Sequence, residues 1–185
     1  MTAPFFFGYG SLVNRATHDY PQAQRARVRG WRRQWRKTKL RRLAFLTVTE
    51  APDTEIAGLI AAVPGDDWAA LDAREAAYLR LPVDVTADAG PQVAQIYRTR
   101  PEHDSDASDD HPILLSYLDT VLQGFLREFG EAGVADFMAT TDGWDAPVLD
   151  DRDAPIYGRT QPLSGDELAL VDDHLSALGS RFVKA

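Results

Sequence analysis

Near the start of the chain, a continuous apolar run, Phe5-Phe6-Phe7, breaks directly into Gly8-Tyr9-Gly10-Ser11-Leu12. An apolar run that ends in glycines is typical of a buried strand that delivers its last residues into a tight backbone turn. Because glycine has no Cβ, peptide N–H groups in such a turn can approach and bind an anion. The motif fits an ordinary tight turn equally well, so the sequence leaves both interpretations open.

Residues 66–79 contain a carboxylate where an apolar side chain is expected. The segment is rich in alanine and leucine, and this composition predicts a helix. Trp68, Leu71 and Tyr78 would share its buried stripe, and the remaining position of that stripe is Glu75. Burial of an unpaired carboxylate costs several kcal/mol or raises its pKa above about 4.3. Glu75 is therefore either part of a structural ion pair or cap, or a general acid and base tuned by apolar surroundings.

Both segments resemble the γ-glutamylcyclotransferases, in particular their ChaC-type branch. The Gly8-Tyr9-Gly10-Ser11-Leu12 motif is similar to the opening signature of that family. The segment that carries the family's catalytic glutamate is similar to Leu71-Asp72-x-Arg74-Glu75-x-x-Tyr78, which runs into Val83-Asp84-Val85. Between them, Val28-Arg29-Gly30-Trp31-Arg32-Arg33 resembles the family's V-x-G-W/Y-R-R strand, so the likeness spans most of residues 4–85.

The likeness weakens after residue 85. Ser116-Tyr117-Leu118 is similar to a glutamate-tyrosine-leucine stretch of ChaC-type enzymes. An acidic run, residues 103–111, stands where that branch usually has a loop rich in glycine and asparagine. The sequence therefore leaves the substrate open among glutathione, γ-glutamyl dipeptides and γ-glutamylamines.

The resemblance implies a cofactor-free reaction in which the α-amino group of a γ-glutamyl compound attacks its own γ-carbonyl. The products are 5-oxoproline and the released amine or amino acid. Because the nucleophile and the electrophile are tethered, one carboxyl group with a raised pKa can move both protons, and we assign this role to Glu75. Two alternatives remain: a related acyltransferase or amide-cleaving enzyme on the same scaffold, and a non-catalytic domain that binds a small molecule.

The expected substrate contacts lie in the glycine turn and in the second half of the chain. Backbone N–H groups of the turn would hold a substrate carboxylate or the oxyanion. The residues expected to bind substrate are Tyr9, Gly10, Ser11, Leu12 and Tyr117, with Tyr157 and Arg159 as further candidates. Tyr117 also falls on the apolar stripe of a predicted helix, so it fits a core position as well.

The order of predicted elements favours an α+β fold, a small and partly closed mixed β-barrel flanked by helices, and the resemblance implies the same architecture. Strands are predicted at 4–10, 28–38, 43–50, 55–63, 83–86 and 93–99. The remainder is mainly helical, with one amphipathic helix over 112–129 that closes at Gly130. A capping box, Ser164-x-x-Glu167, opens the last helix, and Gly179 ends it. No linker interrupts the sequence, so we expect a single domain over residues 1–185.

Charge is distributed unevenly along the chain. Ten of the 20 lysines and arginines lie in residues 25–42, although the formal net charge is −8. Basic residues interleaved with Trp31 and Trp35 are compatible with a nucleic-acid surface. The sequence pI of about 4.9 opposes this interpretation. We expect no nucleic-acid partner, and basic side chains that serve solubility or pair with acidic helices of the same chain.

Several other chemistries are excluded by composition and motif. The chain has no cysteine, and the spacing of its four histidines is not that of metal ligands. It has no Gly-x-Ser-x-Gly elbow and no Gly-Lys-Ser/Thr loop, and its aspartate-rich stretch lacks the pattern of a calcium loop. No basic leader or long apolar span is present. We expect a cytoplasmic protein without a metal, a cofactor or a membrane partner, and the sequence leaves the oligomeric state open.

Overall fold

The computed structural model describes residues 4–107 and 110–184. Ser108 and Asp109 of the acidic run, like both chain ends, lie outside the described residues. The strands are β1 (Phe5–Gly8), β2 (Gln24–Lys37), β3 (Ala44–Ala62), β4 (Tyr78–Ala87), β5 (Gly90–Thr99), β6 (Ile113–Leu114), β7 (Thr141–Asp142), β8 (Val148–Asp150) and β9 (Phe182–Lys184). The helices are α1 (Ala69–Arg74), α2 (Leu115–Ala139) and α3 (Gly165–Ala177).

Five strands form a mixed β-barrel, which confirms the predicted α+β class. The strands follow the order β3-β1-β5-β4-β2, and β2 pairs again with β3, so the barrel closes. Strand β1 runs parallel to β5, whereas the other pairs within the barrel are antiparallel. The contact between β2 and β4 consists of two residue pairs, which makes it the shortest antiparallel seam of the barrel.

Strand β1 is buried on both faces, which explains its run of phenylalanines. Phe5 and Phe7 belong to the main core cluster, which also contains Leu118 of α2 and Leu175 of α3. Phe6 belongs to a separate, smaller cluster with Leu71 of α1 and Tyr97 of β5. Strands buried on both faces show continuous rather than alternating hydrophobicity.

The two strands predicted at 43–50 and 55–63 are one continuous strand, β3. Its partner β2 has a register shift between Arg29 and Trp31, and Gly30 adopts a positive φ of 86° within that irregularity. Residues 51–54 lie opposite the shift, without register partners in β2. Pro52 is tolerated there because a proline has no N–H to donate to a ladder.

The helix predicted over 66–79 is also wrong in extent. Helix α1 ends at Arg74, Glu75 leaves the helical region with φ −101° and ψ 32°, and Tyr78 already begins β4. The pairing of Tyr78 with Thr99 of β5 overrides the local helix propensity. Glu75 therefore lies in a turn between a helix and a strand, not on a helix stripe.

The C-terminal helices follow the predicted pattern except at the two ends of α2. The helix predicted from residue 112 begins at Leu115, because Ile113–Leu114 form β6 and pair with β8. Helix α2 does not end at Gly130: that residue interrupts it with a φ of 70°, and a second helical segment continues to Ala139. The capping box of α3 is confirmed, since Ser164 Oγ accepts the N–H of Glu167 at 3.2 Å. None of the described helices is long and apolar enough to span a membrane.

Most arginines on β2 that face outward pair within the chain. Arg32 binds Asp142 at 2.6 Å, and Arg36 binds Asp104 at 3.0 Å. These acidic partners lie on strands and loops rather than on helices, contrary to the sequence-based expectation, and the contact of Arg32 with α2 is to the carbonyl of Ala139 at 2.9 Å. Such exposed pairs stabilise the fold only weakly but reduce the charge available to a polyanion.

Candidate active site

A cleft of about 540 Å³ opens at the barrel mouth. Its walls are the β2–β3 connection, the turn after α1, the start of α2 and the loop that follows β8. At its inner end lies a small recess against the glycine turn. The residues that line both the cleft and the recess are Ser11, Glu75, Tyr78 and Tyr117. A cleft of this size suits a small peptide or amino-acid conjugate.

Glu75 lies at the junction of cleft and recess. Its side chain is 17% exposed, and its carboxylate lies 3.4 Å from Nε of Arg74. Burial raises the pKa of Glu75 above its ordinary value, while the charges of Arg74 and Arg159 act in the opposite direction. The residue thus combines limited solvent access, an adjacent cation and contact with an open cavity.

Arg74 ties the carboxyl to the turn. Its guanidinium donates to the carbonyl of Thr17 at 3.0 Å and to Oγ of Ser11 at 3.4 Å. With a side chain 9% exposed, it is held on several sides. In the sequence, Arg74 belongs to the motif around Glu75, and its position next to that residue is the signal for a role in the site.

The glycine turn leads from β1 into a short 3-10 turn, Ser11–Val13. Val13 and Asn14 donate N–H groups to the carbonyls of Gly10 and Ser11 at 3.0 and 3.1 Å. A Cβ on Gly10 would lie 2.8 Å from the hydroxyl of Tyr117. The absence of a Cβ at Gly10 therefore leaves room for the Tyr117 hydroxyl next to the backbone of the turn.

Tyr117 faces the cleft although it lies on the apolar stripe of α2. Its ring makes edge contacts with Tyr157 and Trp35 at centroid distances of 5.0 and 6.0 Å. Burial raises the pKa of the Tyr117 phenol, and the charges of Tyr157 and Glu75 add to this effect, while hydrogen bonds with Ser11 lower it. Both sequence interpretations hold in part, since the ring packs and the hydroxyl reaches the turn.

Two predicted substrate contacts have side chains that serve the fold. The hydroxyl of Tyr9 donates to the carbonyl of Tyr97 at 2.6 Å, and burial raises the pKa of Tyr9. Leu12 packs in the smaller core cluster, and its carbonyl lies 2.9 Å from Nε2 of His18. For Tyr9 and Leu12, only the backbone is left for a ligand.

Arg33 supports the site from the core, although its sequence neighbours suggest a basic surface. It is fully buried, and Nε donates to the carbonyl of Tyr9 at 2.9 Å. The guanidinium stacks between Phe125 and Phe137, with centroid distances of 4.9 and 4.7 Å. Arg33 therefore holds the start of the glycine turn from inside the core, and its place in the V-x-G-W-R-R motif was the available signal.

Tyr78 was predicted as a core residue, and it lines the site. Its hydroxyl donates to the carbonyl of Leu46 at 2.9 Å, and burial raises its pKa. Tyr78, Tyr117 and Tyr157 line the same cleft as Glu75. Among the residues that the structure describes, no group of histidines and acidic residues could hold a metal ion.

Solved structures with the same fold cover nearly the whole chain. A gamma-glutamyl cyclotransferase aligns over 93% of this chain and 99% of its own, with a TM-score of 0.60 and 15% identity. The uncharacterized protein loc79017 from Homo sapiens gives the same values. YkqA from Bacillus subtilis aligns over 77% of this chain and 57% of its own, with a TM-score of 0.59 and 17% identity.

The sequence itself matches a family model. No curated protein matches the chain. The model described as "Gamma-glutamyl cyclotransferase, AIG2-like" matches residues 6–116, a segment that contains the glycine turn, Arg33, Arg74 and Glu75. The chain therefore belongs to the AIG2-like gamma-glutamyl cyclotransferase family.

Proposed function

We propose that the protein is a γ-glutamylcyclotransferase that converts a γ-glutamyl amide into 5-oxoproline and a free amine. The observation that carries the proposal is the position of Glu75, a carboxyl with a raised pKa at the inner end of an open cleft. A raised pKa makes a carboxylate a stronger base and, once protonated, leaves it able to donate to a departing nitrogen.

The reaction forms one carbon–nitrogen bond and breaks another. The carboxylate of Glu75 removes a proton from the substrate α-ammonium, and the resulting amine attacks the γ-carbonyl carbon. The protonated Glu75 then donates this proton to the amide nitrogen as its bond to the γ-carbon breaks. The regenerated carboxylate takes the second proton from the attacking nitrogen, which becomes the ring nitrogen of 5-oxoproline, and passes it to the released amine. No external reactant is needed, because both reacting groups belong to the substrate.

The turn supplies the binding groups. We assign the backbone N–H groups of Gly10, Ser11 and Leu12 to the substrate α-carboxylate or to the oxyanion. Arg74 contacts both Ser11 and Glu75, so it fixes the distance between this binding element and the base. Tyr117, whose hydroxyl lies next to Gly10 of this turn, is proposed to hydrogen-bond the substrate there.

The proposal also covers the branch of the family to which the protein belongs and its location in the cell. The motifs around Gly10 and Glu75 favour the ChaC-type branch, whereas the acidic run departs from it. Part of that run is bound to the β2–β3 connection: Lys39 donates its N–H to the carbonyl of His103 at 2.8 Å. This contact supports a cleft wall specific to this chain, so glutathione is one test compound among others. A cytoplasmic location stays a prediction.

Product analysis tests the proposal. The purified protein is incubated with glutathione, γ-glutamyl dipeptides and γ-glutamylamines, and 5-oxoproline is quantified by mass spectrometry. Release of 5-oxoproline with an equal amount of free amine is expected for at least one class. Free glutamate or a transferred γ-glutamyl group in place of 5-oxoproline would instead identify an amide-cleaving or acyl-transferring enzyme. Ligand binding without any product would identify a binding domain.

A further inference from the structure

Among the residues that the structure describes, two arginines without an ion-pair partner line the outer cleft, which is the part of the cleft beyond the recess. Of the charged residues that line the cleft, three are arginines and one is acidic. Arg74 is paired with Glu75, but Arg41 and Arg159 form no ion pair with any residue that the structure describes. In a chain with a net charge of −8, two exposed and unpaired arginines at one cavity mouth concentrate an attractive potential for anions there.

Apolar side chains flank these arginines. Leu40 and Ile156 line the same mouth and are 46% and 49% exposed, although most large apolar side chains of the described residues are buried. Leu43 and Phe45 extend this surface inward. The outer cleft therefore offers cations beside apolar surface, a combination that matches an apolar side chain next to a carboxylate.

The position of Glu75 sets the orientation of a bound substrate. In the proposed reaction, the scissile amide must lie against this carboxyl, where the recess and the cleft meet. The glutamyl part then lies towards the Gly10–Leu12 turn, and the leaving amine extends into the outer cleft. Arg159 is close enough to Glu75 to lower its pKa, so a group attached to the leaving nitrogen comes within reach of that arginine.

We propose that Arg41 and Arg159 select substrates whose leaving amine carries a carboxylate and an apolar side chain. The preferred class is then a γ-glutamyl conjugate of an apolar amino acid rather than of a simple amine. This inference rests on the proposed function, since it takes the scissile amide to lie at Glu75.

Binding to the Glu75→Gln variant tests the selection without turnover. The affinities of γ-glutamyl-leucine and of γ-glutamyl-leucine amide, which differ only in the charge of the leaving group, are measured by calorimetry. We expect the acid to bind about tenfold more tightly, as charge-assisted contacts to two partly exposed arginines allow. In the Glu75→Gln background, Arg41→Gln and Arg159→Gln should each reduce this ratio by about threefold. Arg29→Gln removes an exposed charge outside the cleft and is the matched control.

The two proposals fail in different ways. The selection would be overturned by an affinity ratio of acid to amide near one. It would also be overturned if this ratio were the same in Arg41→Gln and Arg159→Gln as in the control Arg29→Gln. Failure of both ligands to bind would overturn the selection as well. The wild-type protein is assayed in parallel for 5-oxoproline from both compounds. If the acid binds preferentially but no γ-glutamyl compound of the wider panel, these two included, yields 5-oxoproline, the cyclotransferase proposal is overturned, while the preference of Arg41 and Arg159 for a ligand with a carboxylate stands as a binding property.

Discussion

At the scale of single residues, the site depends on how little freedom its members have. Glu75 has limited solvent access, Arg74 is fixed by Thr17 and Ser11, and Gly10 leaves space for the hydroxyl of Tyr117. The carboxyl with a raised pKa is a thermodynamic cost to the folded protein, because its charged form is less stable in the fold than in water. Each of these contacts can be tested by one substitution.

The first prediction concerns stability. Because the folded-state pKa of Glu75 lies above its unfolded value, the ionised carboxylate destabilises the fold as the pH rises above about 4.5. Glu75→Gln removes this cost, so the variant should gain stability relative to the wild type as the pH increases from 4 to 8. The measurement is the melting temperature of both proteins across that range. A difference independent of pH would mean that Glu75 titrates normally.

The second prediction concerns Gly10. An alanine Cβ there would press on the hydroxyl of Tyr117, which lies at the end of a side chain that can move. Gly10→Ala should therefore fold and lose about tenfold to a hundredfold in kcat/KM through displacement of Tyr117. Gly165→Ala, where a Cβ meets no atom within 4 Å, is the control. In a Tyr117→Phe background the Gly10→Ala penalty should shrink; an undiminished penalty would contradict the mechanism.

At the scale of elements, Asp151 couples helix α2 to the loop that forms one cleft wall. Its buried carboxylate accepts the N–H and the hydroxyl of Ser116 at 2.8 and 2.6 Å, and the N–H of Ile156 at 2.9 Å. It thereby caps α2 one residue before Tyr117 and holds the loop that carries Tyr157. A remote residue supplies a cap that no local sequence pattern at the helix start indicates.

The third prediction compares two helix caps. Asp151→Ala should cost about 2–3 kcal/mol of unfolding free energy, because it leaves buried donors without an acceptor, and it should also reduce kcat/KM. Ser164→Ala removes a cap on α3, away from the cleft, and should cost about 1 kcal/mol without a change in kcat/KM. Urea unfolding and steady-state kinetics measure both. Equal effects of the two substitutions on kcat/KM would show that Asp151 has no specific role in positioning the site.

The elements that the sequence predicts well are those decided by local pattern. The strand around Phe5 to Phe7, the strand within 93–99 and the capping box of α3 have the hydrophobicity and the caps that specify them. The predicted gap in β3 and the long helix through Glu75 fail because strand pairing between distant segments decides them. Local propensity contains no information about such partners.

For the site too, the sequence predicts some residues and misses others that only the tertiary fold identifies. Ser11, Glu75 and Tyr117 line both the cleft and its recess, and Gly10 lines the recess. The buried place of Arg33 was missed because its neighbours in sequence are exposed arginines, and only the tertiary fold distinguishes them. The sequence predicts the burial of Glu75 from its place on a helix stripe. Glu75 is largely buried, but it lies in a turn, so the prediction is right about burial and wrong about the element.

At the scale of the whole molecule, the barrel and the helices share one core. The main cluster joins side chains of β1, β3 and β5 to those of α2 and α3. Arg33 of β2 adds polar links, since it donates to Ala57 of β3 and to Thr140, which follows α2. Because the elements share one core, unfolding of one element removes packing contacts from the others and destabilises them.

The fourth prediction follows from this shared core. Unfolding by urea should be a single cooperative transition, with coincident curves from far-ultraviolet circular dichroism and tryptophan fluorescence. Trp35 and Trp144 report on the contact between the barrel and α2, because their rings pack 5.7 Å apart and Trp144 also contacts Phe137. Two separate transitions would show that the barrel and the helices form independent units and would contradict the single-domain expectation.

The most direct test of the central claim is the rate of 5-oxoproline release by the wild-type protein and by Glu75→Gln, with the same γ-glutamyl substrate under saturating conditions. We expect the wild type to release 5-oxoproline, and we expect Glu75→Gln, folded and still able to bind the substrate, to release it at least about a thousandfold more slowly. Release at the wild-type rate by Glu75→Gln would contradict the account, because the carboxyl at the inner end of the cleft would then take no part in the reaction.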